Sequence, residues 1–286
     1  MCDDDIHVGL VYDPMVSRRT FGLLSAVAAS GLATSAYAAD VVEKDVEVKT
    51  ADGAADSVLF HPAGKGAWPA VLIWTDIAGL RPAFREMGRR LAAQGYVVLV
   101  PNPFYRSIKG LVATPGFDFS KPEDRARVMG YRQAMNNEGI DNDAKAYLAF
   151  LDAQPQTNKK KKVGVQGYCM GGPLSFRTAA AVPGRIGAVG SFHGGGLTTK
   201  NPDSPHLLIP KTNASYLVAV AQNDDKAQPD SKDILKAAFA EAKKTATVEV
   251  YPAAHGWCVK GSQVYNEAEA ERAWAQLTKL YKSALA

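Results

Sequence analysis

The chain has 286 residues, 47% of them hydrophobic, enough to bury a sizeable core in one large α/β unit or two small ones. Its formal charge is +4, from 33 basic and 29 acidic side chains, and this balance argues against a nucleic-acid-binding protein. The one basic run, Lys159-Lys160-Lys161-Lys162, directly precedes a strand and reads as a solvated loop or helix end.

The first forty residues read as an export signal. Ser17-Arg18-Arg19-Thr20-Phe21 is followed by an apolar stretch from Gly22 to Ala36, and Ala36-Tyr37-Ala38 offers a small-x-small cleavage site. The paired arginines resemble the twin-arginine signal that routes folded proteins across the bacterial inner membrane. The apolar stretch is too short, and too rich in Ala, Ser and Gly, for a stable transmembrane helix. The expectation is a signal over residues 1–38, a single domain over residues 39–286, a periplasmic location and no stable membrane association after cleavage. Cys2 would leave with the signal, so Cys169 and Cys258 would be the thiols of the mature chain.

Val41 to Val48 and Ala55 to Phe60 read as two short strands joined by Ala51-Asp52-Gly53. Ala70 to Trp74 is a continuous apolar run, as expected of a strand buried on both faces of a parallel sheet. Ala83 to Gln94 is amphipathic and stops at Gly95, the pattern of a helix with a glycine cap. Tyr96 to Val100 is the next buried strand. Pro101 to Gly130 has no clean period and is long enough to form a functional loop or small cap. Asp141 to Ala153 reads as a helix and Val163 to Gln166 as a strand. Beyond them follow strands at Ile186–Phe192, Tyr216–Ala221 and Thr247–Tyr251, with helices over Ser231–Ala242 and Glu267–Leu285. Strands alternating with helices predict a doubly wound, mostly parallel sheet with helices on both faces, and active sites of such sheets lie at the C-terminal ends of the strands.

Three reactive side chains sit at such ends. Gly167-Tyr168-Cys169-Met170-Gly171-Gly172 follows a strand and precedes a helix, the layout of the nucleophile elbow of the α/β-hydrolase fold, with cysteine as nucleophile. Asp224 follows the strand Tyr216–Ala221, with Asp225 beside it as a competing candidate, and His255 follows the strand Thr247–Tyr251. The order nucleophile, acid, histidine is the order of that fold. Only a thiolate attacks, so His255 would activate Cys169 while Asp224 fixes the imidazole tautomer. A bridge between Cys169 and Cys258 would silence the elbow, so both are expected as free thiols. His193, in Ser191-Phe192-His193-Gly194, also ends a strand and either contacts substrate or supports the glycine turn. Trp74, Phe104, Tyr105 and Trp257 lie beside these positions and could line an apolar pocket, Trp74 being explained as well by core packing. His61 and His206 show no ligand spacing with other donors, so no metal site is expected.

From the elbow through the histidine, the chain resembles the dienelactone hydrolase family over nearly all of residues 42–284. The resemblance implies a cofactor-free hydrolase of an ester or lactone, with a small-molecule substrate of the dienelactone kind. It implies Cys169, Asp224 and His255 as catalytic triad, with an oxyanion hole from the backbone N–H groups of Ile77 and Met170. The family's thiol-activating glutamate corresponds to Asp76, one methylene shorter. Of the family's two carboxylate-binding arginines, Arg106 matches the first. Val259 stands at the place of the second, with Lys260 as its neighbour, so bidentate carboxylate recognition is weakened. Arg106, His193, Trp257 and Lys260 are the implied substrate contacts. The departure favours a general carboxylesterase or thioesterase as the alternative. A non-catalytic periplasmic binding protein on the same fold is a further alternative, but it has no need of all three triad groups.

Overall fold

The computed structural model describes residues 40–286; the proposed signal, with Arg18 and Arg19, lies outside them. The chain opens with a long hairpin, β1 (Val41–Thr50) and β2 (Gly53–Pro62), continues through β3 (Ala70–Trp74), helix α1 (Pro82–Ala93) and β4 (Val97–Pro101), and then two consecutive helices, α2 (Pro122–Gln133) and α3 (Asn137–Ala153). Strand β5 (Val163–Tyr168), helix α4 (Gly171–Ala181) and strand β6 (Ile186–Phe192) form the centre. A 3-10 helix at Pro205–Lys211, β7 (Ser215–Ala221), α5 (Gln222–Ala227), α6 (Ser231–Glu241), β8 (Ala246–Tyr251) and α7 (Glu267–Ala284) complete it.

The eight strands form one sheet in the order β1-β2-β4-β3-β5-β6-β7-β8. The first two pairings, β1 with β2 and β2 with β4, are antiparallel and the rest parallel. Every residue of β3, β4, β5 and β6 is buried, which is why these strands read as continuous apolar runs rather than as alternation. The sheet separates two apolar layers. Leu174 and Phe176 of α4, Tyr147 and Leu151 of α3 and Phe239 of α6 pack on one side; Phe84 and Leu91 of α1 and Trp274 and Tyr281 of α7 pack on the other.

Local chemistry sets the element ends. Pro82 opens α1, where its missing N–H costs nothing, and Gly95 takes a φ of 91° just beyond its end. Helix α3 begins at Asn137, a turn before the expected Asp141, because the Asn136 side chain accepts the Gly139 N–H at 2.7 Å. The β1–β2 hairpin is longer than its apolar residues suggest, since backbone pairing persists from Val41 opposite Pro62 to Thr50 opposite Gly53. Helices α2 and α5 were not expected. Only Asp124 and Val128 of α2 are buried, and α5 buries no residue, so neither carries the apolar period that betrays a helix.

Candidate active site

Cys169 occupies the sharp connection between β5 and α4 with φ 51°, a left-handed conformation that costs a non-glycine residue about 1–2 kcal/mol. The turn is held by its own backbone: Cys169 N–H donates to the Phe192 carbonyl at 3.0 Å, and the Cys169 carbonyl accepts from Gly172 N–H at 3.0 Å. Two glycines are required by contact. A Cβ on Gly167 would lie 1.8 Å from the Gly171 carbonyl oxygen, and a Cβ on Gly171 would lie 2.6 Å from that of Trp74 and 2.7 Å from that of Thr75. The elbow therefore folds directly over its own strand and against the end of β3. It leaves Cys169 at the N-terminus of α4, where the helix N–H groups and dipole favour a thiolate or oxyanion.

Strands β7 and β8 bring the other two groups. Asp224 sits on the short helix α5 immediately after β7, and its Oδ2 lies 2.8 Å from His255 Nδ1. Asp225 turns away and takes Lys232 at 2.7 Å instead. Asn223 Oδ1 accepts the His255 backbone N–H at 2.8 Å, and Gln222 N–H donates to Ala253 O at 2.9 Å, so the loop after β8 is pinned to the loop after β7. With a carboxylate at Nδ1, that nitrogen carries the proton, and Nε2 remains as the atom for proton exchange. His193 also has a positive φ, 39°, and its Nδ1 accepts the Cys169 N–H at 3.2 Å. Its ring stands edge-on to His255, 4.7 Å between centroids, and to Trp257, 5.2 Å. Trp257 is fully buried and stacks on Tyr251. Both side chains support the site from behind rather than forming its wall.

The wall belongs to a cavity of about 220 Å³. Cys169, Met170, Ile77, Asp224 and His255 all line it, and Phe119, Met129, Ile140, Leu174, Leu197 and Leu235 add apolar side chains to the lining. Phe119 and Met129 come from the unperiodic segment after β4 and Arg132 from the end of α2 just beyond it, so this stretch forms part of the cavity wall. Two cations not foreseen from the sequence reach the wall, Arg132 and Arg177. Arg177 is held by Asp141 through Nε–Oδ1 at 3.0 Å and Nη2–Oδ2 at 2.7 Å. One sequence signal was available: Met170, Pro173, Leu174 and Arg177 fall at i, i+3, i+4 and i+7, one face of the helix that follows the Cys169 turn. Among the described residues, no group of three or more His, Cys, Asp or Glu side chains is arranged to hold a metal ion.

The remaining nominated residues lie elsewhere. Asp76 is fully buried in a two-point pair with Arg81. Arg106 is absent from the cavity wall. Its guanidinium holds Asp143 through Nη1–Oδ2 at 2.7 Å and Nη2–Oδ1 at 2.9 Å, takes Asp52 on a second edge and lies over the Tyr105 ring. Lys260 is half-exposed and pairs with Glu86 at 3.1 Å, beside a separate, smaller cavity. Neither Cys258 nor Cys169 is in a disulfide. Burial pushes the Cys258 thiol well above its ordinary pKa, which keeps it protonated.

A mostly parallel doubly wound sheet, a strained turn at Cys169 after β5 and an Asp–His pair after β7 and β8 define an α/β-hydrolase fold. The sequence model of the Dienelactone hydrolase family matches residues 55–285, and the chain belongs to that family and is a hydrolase. It is 26% identical over 219 residues to a carboxymethylenebutenolidase of Pseudomonas sp. strain P51, covering 76% of this chain and 86% of that one. With the carboxymethylenebutenolidase of Pseudomonas putida it shares 27% over 172 residues, 59% of this chain and 69% of the other. Among solved structures it resembles a dienelactone hydrolase-like promiscuous phosphotriesterase from metagenomic libraries, with a TM-score of 0.70 at 21% identity over 86% of this chain and 99% of that one.

Proposed function

We propose that this hydrolase cleaves a small ester or lactone through a Cys169–His255–Asp224 triad and an acyl-thioester. The observation that carries the reading is the 2.8 Å contact of His255 Nδ1 with Asp224 at the cavity that Cys169 also lines. Cys169, as thiolate, attacks the carbonyl carbon. The oxyanion is received by the N–H groups of Ile77 and Met170 at the N-terminus of α4. The imidazolium of His255 gives its Nε2 proton to the departing alkoxide as the carbon–oxygen bond breaks. Water then attacks the thioester, His255 takes its proton, and the tetrahedral intermediate collapses to release the acid and the Cys169 thiolate. Asp224 keeps the imidazole in the required tautomer and stabilises the imidazolium. The chemistry needs no group beyond these side chains and water.

Within this reaction, the broader esterase or thioesterase reading gains from Arg106. That guanidinium is already saturated by Asp143 and Asp52, so it offers a substrate carboxylate no open edge. Turnover of p-nitrophenyl acetate by wild type and Cys169→Ala tests the nucleophile: loss in the variant supports it, and equal rates would refute it. A paired screen of lactones and esters with and without a carboxylate then separates the two specificities. Export through the Arg18–Arg19 pair is part of the same proposal. Replacing both by Lys should retain precursor in the cytoplasm, and an unchanged periplasmic yield would sink it.

A further inference from the structure

Ile77 reaches the cavity wall on the connection between β3 and α1, and the connection is closed on itself around Asp76. Asp76 Oδ1 accepts from Ala78 N–H at 3.0 Å and from Arg81 Nη1 at 2.5 Å; Oδ2 accepts from Arg81 Nη2 at 2.7 Å. Arg81 Nη1 also reaches the Gly79 carbonyl at 3.3 Å, and Gly79 N–H donates to Asp76 O at 3.0 Å while Gly79 itself takes a φ of 75°. Both charged groups are buried, Arg81 at 6% exposure and Asp76 at 0%. Arg81 is anchored at its own end: it is the residue before Pro82 at the start of α1, and its guanidinium lies 4.9 Å from the Phe84 ring centroid.

A buried ion pair barely repays the desolvation of its two charges, so its structural product is geometry rather than net stability. Here that product is a ring closed over the six residues Asp76 to Arg81, with Ile77 inside it and both carboxylate oxygens of Asp76 occupied. The backbone of Trp74 and Thr75 is meanwhile seated against Gly171 of the elbow. One end of the connection is thus fixed to the elbow and the other to α1. We propose that Arg81 is a positioning residue: through Asp76 it clamps the β3–α1 connection and holds the Ile77 amide in register with the Met170 amide as an oxyanion hole. In this chain Asp76 then serves the oxyanion loop instead of deprotonating Cys169. The inference rests on the reading of Cys169 as nucleophile, and it gives the aspartate a different employment from that implied by the family glutamate.

The test uses Arg81→Met, Arg81→Lys and Asp76→Asn in the full mature chain, with three readouts. Backbone amide exchange at Ile77 and Ala78 reports the clamp without any turnover, and is expected to quicken about tenfold or more in Arg81→Met and Asp76→Asn. In p-nitrophenyl acetate hydrolysis kcat should fall about 10- to 100-fold with KM within about threefold, the pattern of a lost transition-state donor, and Arg81→Lys should recover part of it. The pH profile of Cys169 alkylation by iodoacetamide should stay at its wild-type position in all three. Unchanged exchange in Arg81→Met overturns the clamp. An alkylation profile that moves in Asp76→Asn but not in Arg81→Met returns Asp76 to thiol activation. If Arg81→Met fails to fold, Arg81→Lys carries the same readouts. Loss of turnover in Cys169→Ala judges the nucleophile separately, so a failed clamp and a failed nucleophile give different results.

Discussion

Gly171→Ala sets two opposed effects against each other at a crowded point of the site. On helix propensity alone the change would stabilise the first turn of α4 by up to about 1 kcal/mol. The structure predicts the opposite sign. The new Cβ would meet the Trp74 carbonyl oxygen at 2.6 Å and the Thr75 carbonyl oxygen at 2.7 Å, so the two segments must part by about 0.8 Å to reach ordinary contact near 3.4 Å. Both neighbours are backbone and cannot swing aside as a side chain would. Overpacking of this kind costs about 1–3 kcal/mol, which outweighs the propensity gain and leaves a net loss of about 1 kcal/mol. For a domain of this size that lowers the melting midpoint by about 2–4 °C. Activity should suffer more than stability, because the parting separates the connection bearing Ile77 from the elbow bearing Met170. A misplacement near 1 Å costs about 100-fold, so kcat on p-nitrophenyl acetate should fall about 10- to 100-fold. Scanning calorimetry and steady-state kinetics on the same preparation measure both. A midpoint at or above wild type together with an undiminished kcat would refute the crowding argument.

Three further outcomes are expected. Asp224→Asn keeps the shape at His255 but supplies no charge for the imidazolium, so kcat should drop by about 10³–10⁴ while Asp225→Asn stays near wild type; equal losses would show that the two carboxylates share the role. Cys169 should be alkylated by iodoacetamide at pH 7 while Cys258, buried and held protonated, is not, and peptide mapping that finds label at Cys258 in the folded protein would contradict this. Glu249 receives the Gln276 amide and the Arg272 guanidinium, and these lower its pKa against the opposing effect of burial. A depressed carboxylate stabilises above its unfolded pKa and loses that contribution as pH falls through the folded value. Wild type should therefore resist urea better than Glu249→Gln at pH 7, by no more than about 1 kcal/mol of unfolding free energy for so accessible a pair, and the gap should shrink as pH falls from the unfolded value of 4.5 through the depressed folded one. A gap that does not shrink on acidification would show that packing, not charge, is responsible.

The sheet was legible because burial on both faces leaves a signature that needs no partner: Ala70–Trp74 and Val97–Val100 are apolar at every position. The elbow was legible for a related reason, since Gly167 answers contacts made within a few residues of Cys169, although Gly171 answers the backbone of Trp74 and Thr75 at the end of β3. Side chains whose employment is decided across the fold were harder to read. Arg106 is a plausible carboxylate ligand until Asp143, thirty-seven residues on, is seen to hold it. Asp76 looks like a base until Arg81 is seen to fill its oxygens. Helix α2 was missed because a solvated helix with only two buried residues has no apolar stripe to detect. Arg177 was missed although its helical spacing from Met170 was on view, since nothing in the chain says which face of α4 meets an empty space.

The segment that bears Phe119, Met129 and Arg132 contributes no strand to the sheet, and α2 buries little of its own surface. Phe117, Phe119 and Val128 root it in the core, whereas Met129 and Arg132 reach the cavity from positions that are not fully buried. Selection can therefore rewrite those less buried positions while the sheet beneath keeps its form. New substrates can be reached by changes that leave the proposed triad untouched, and a library at Met129 and Arg132 is the corresponding route in the laboratory.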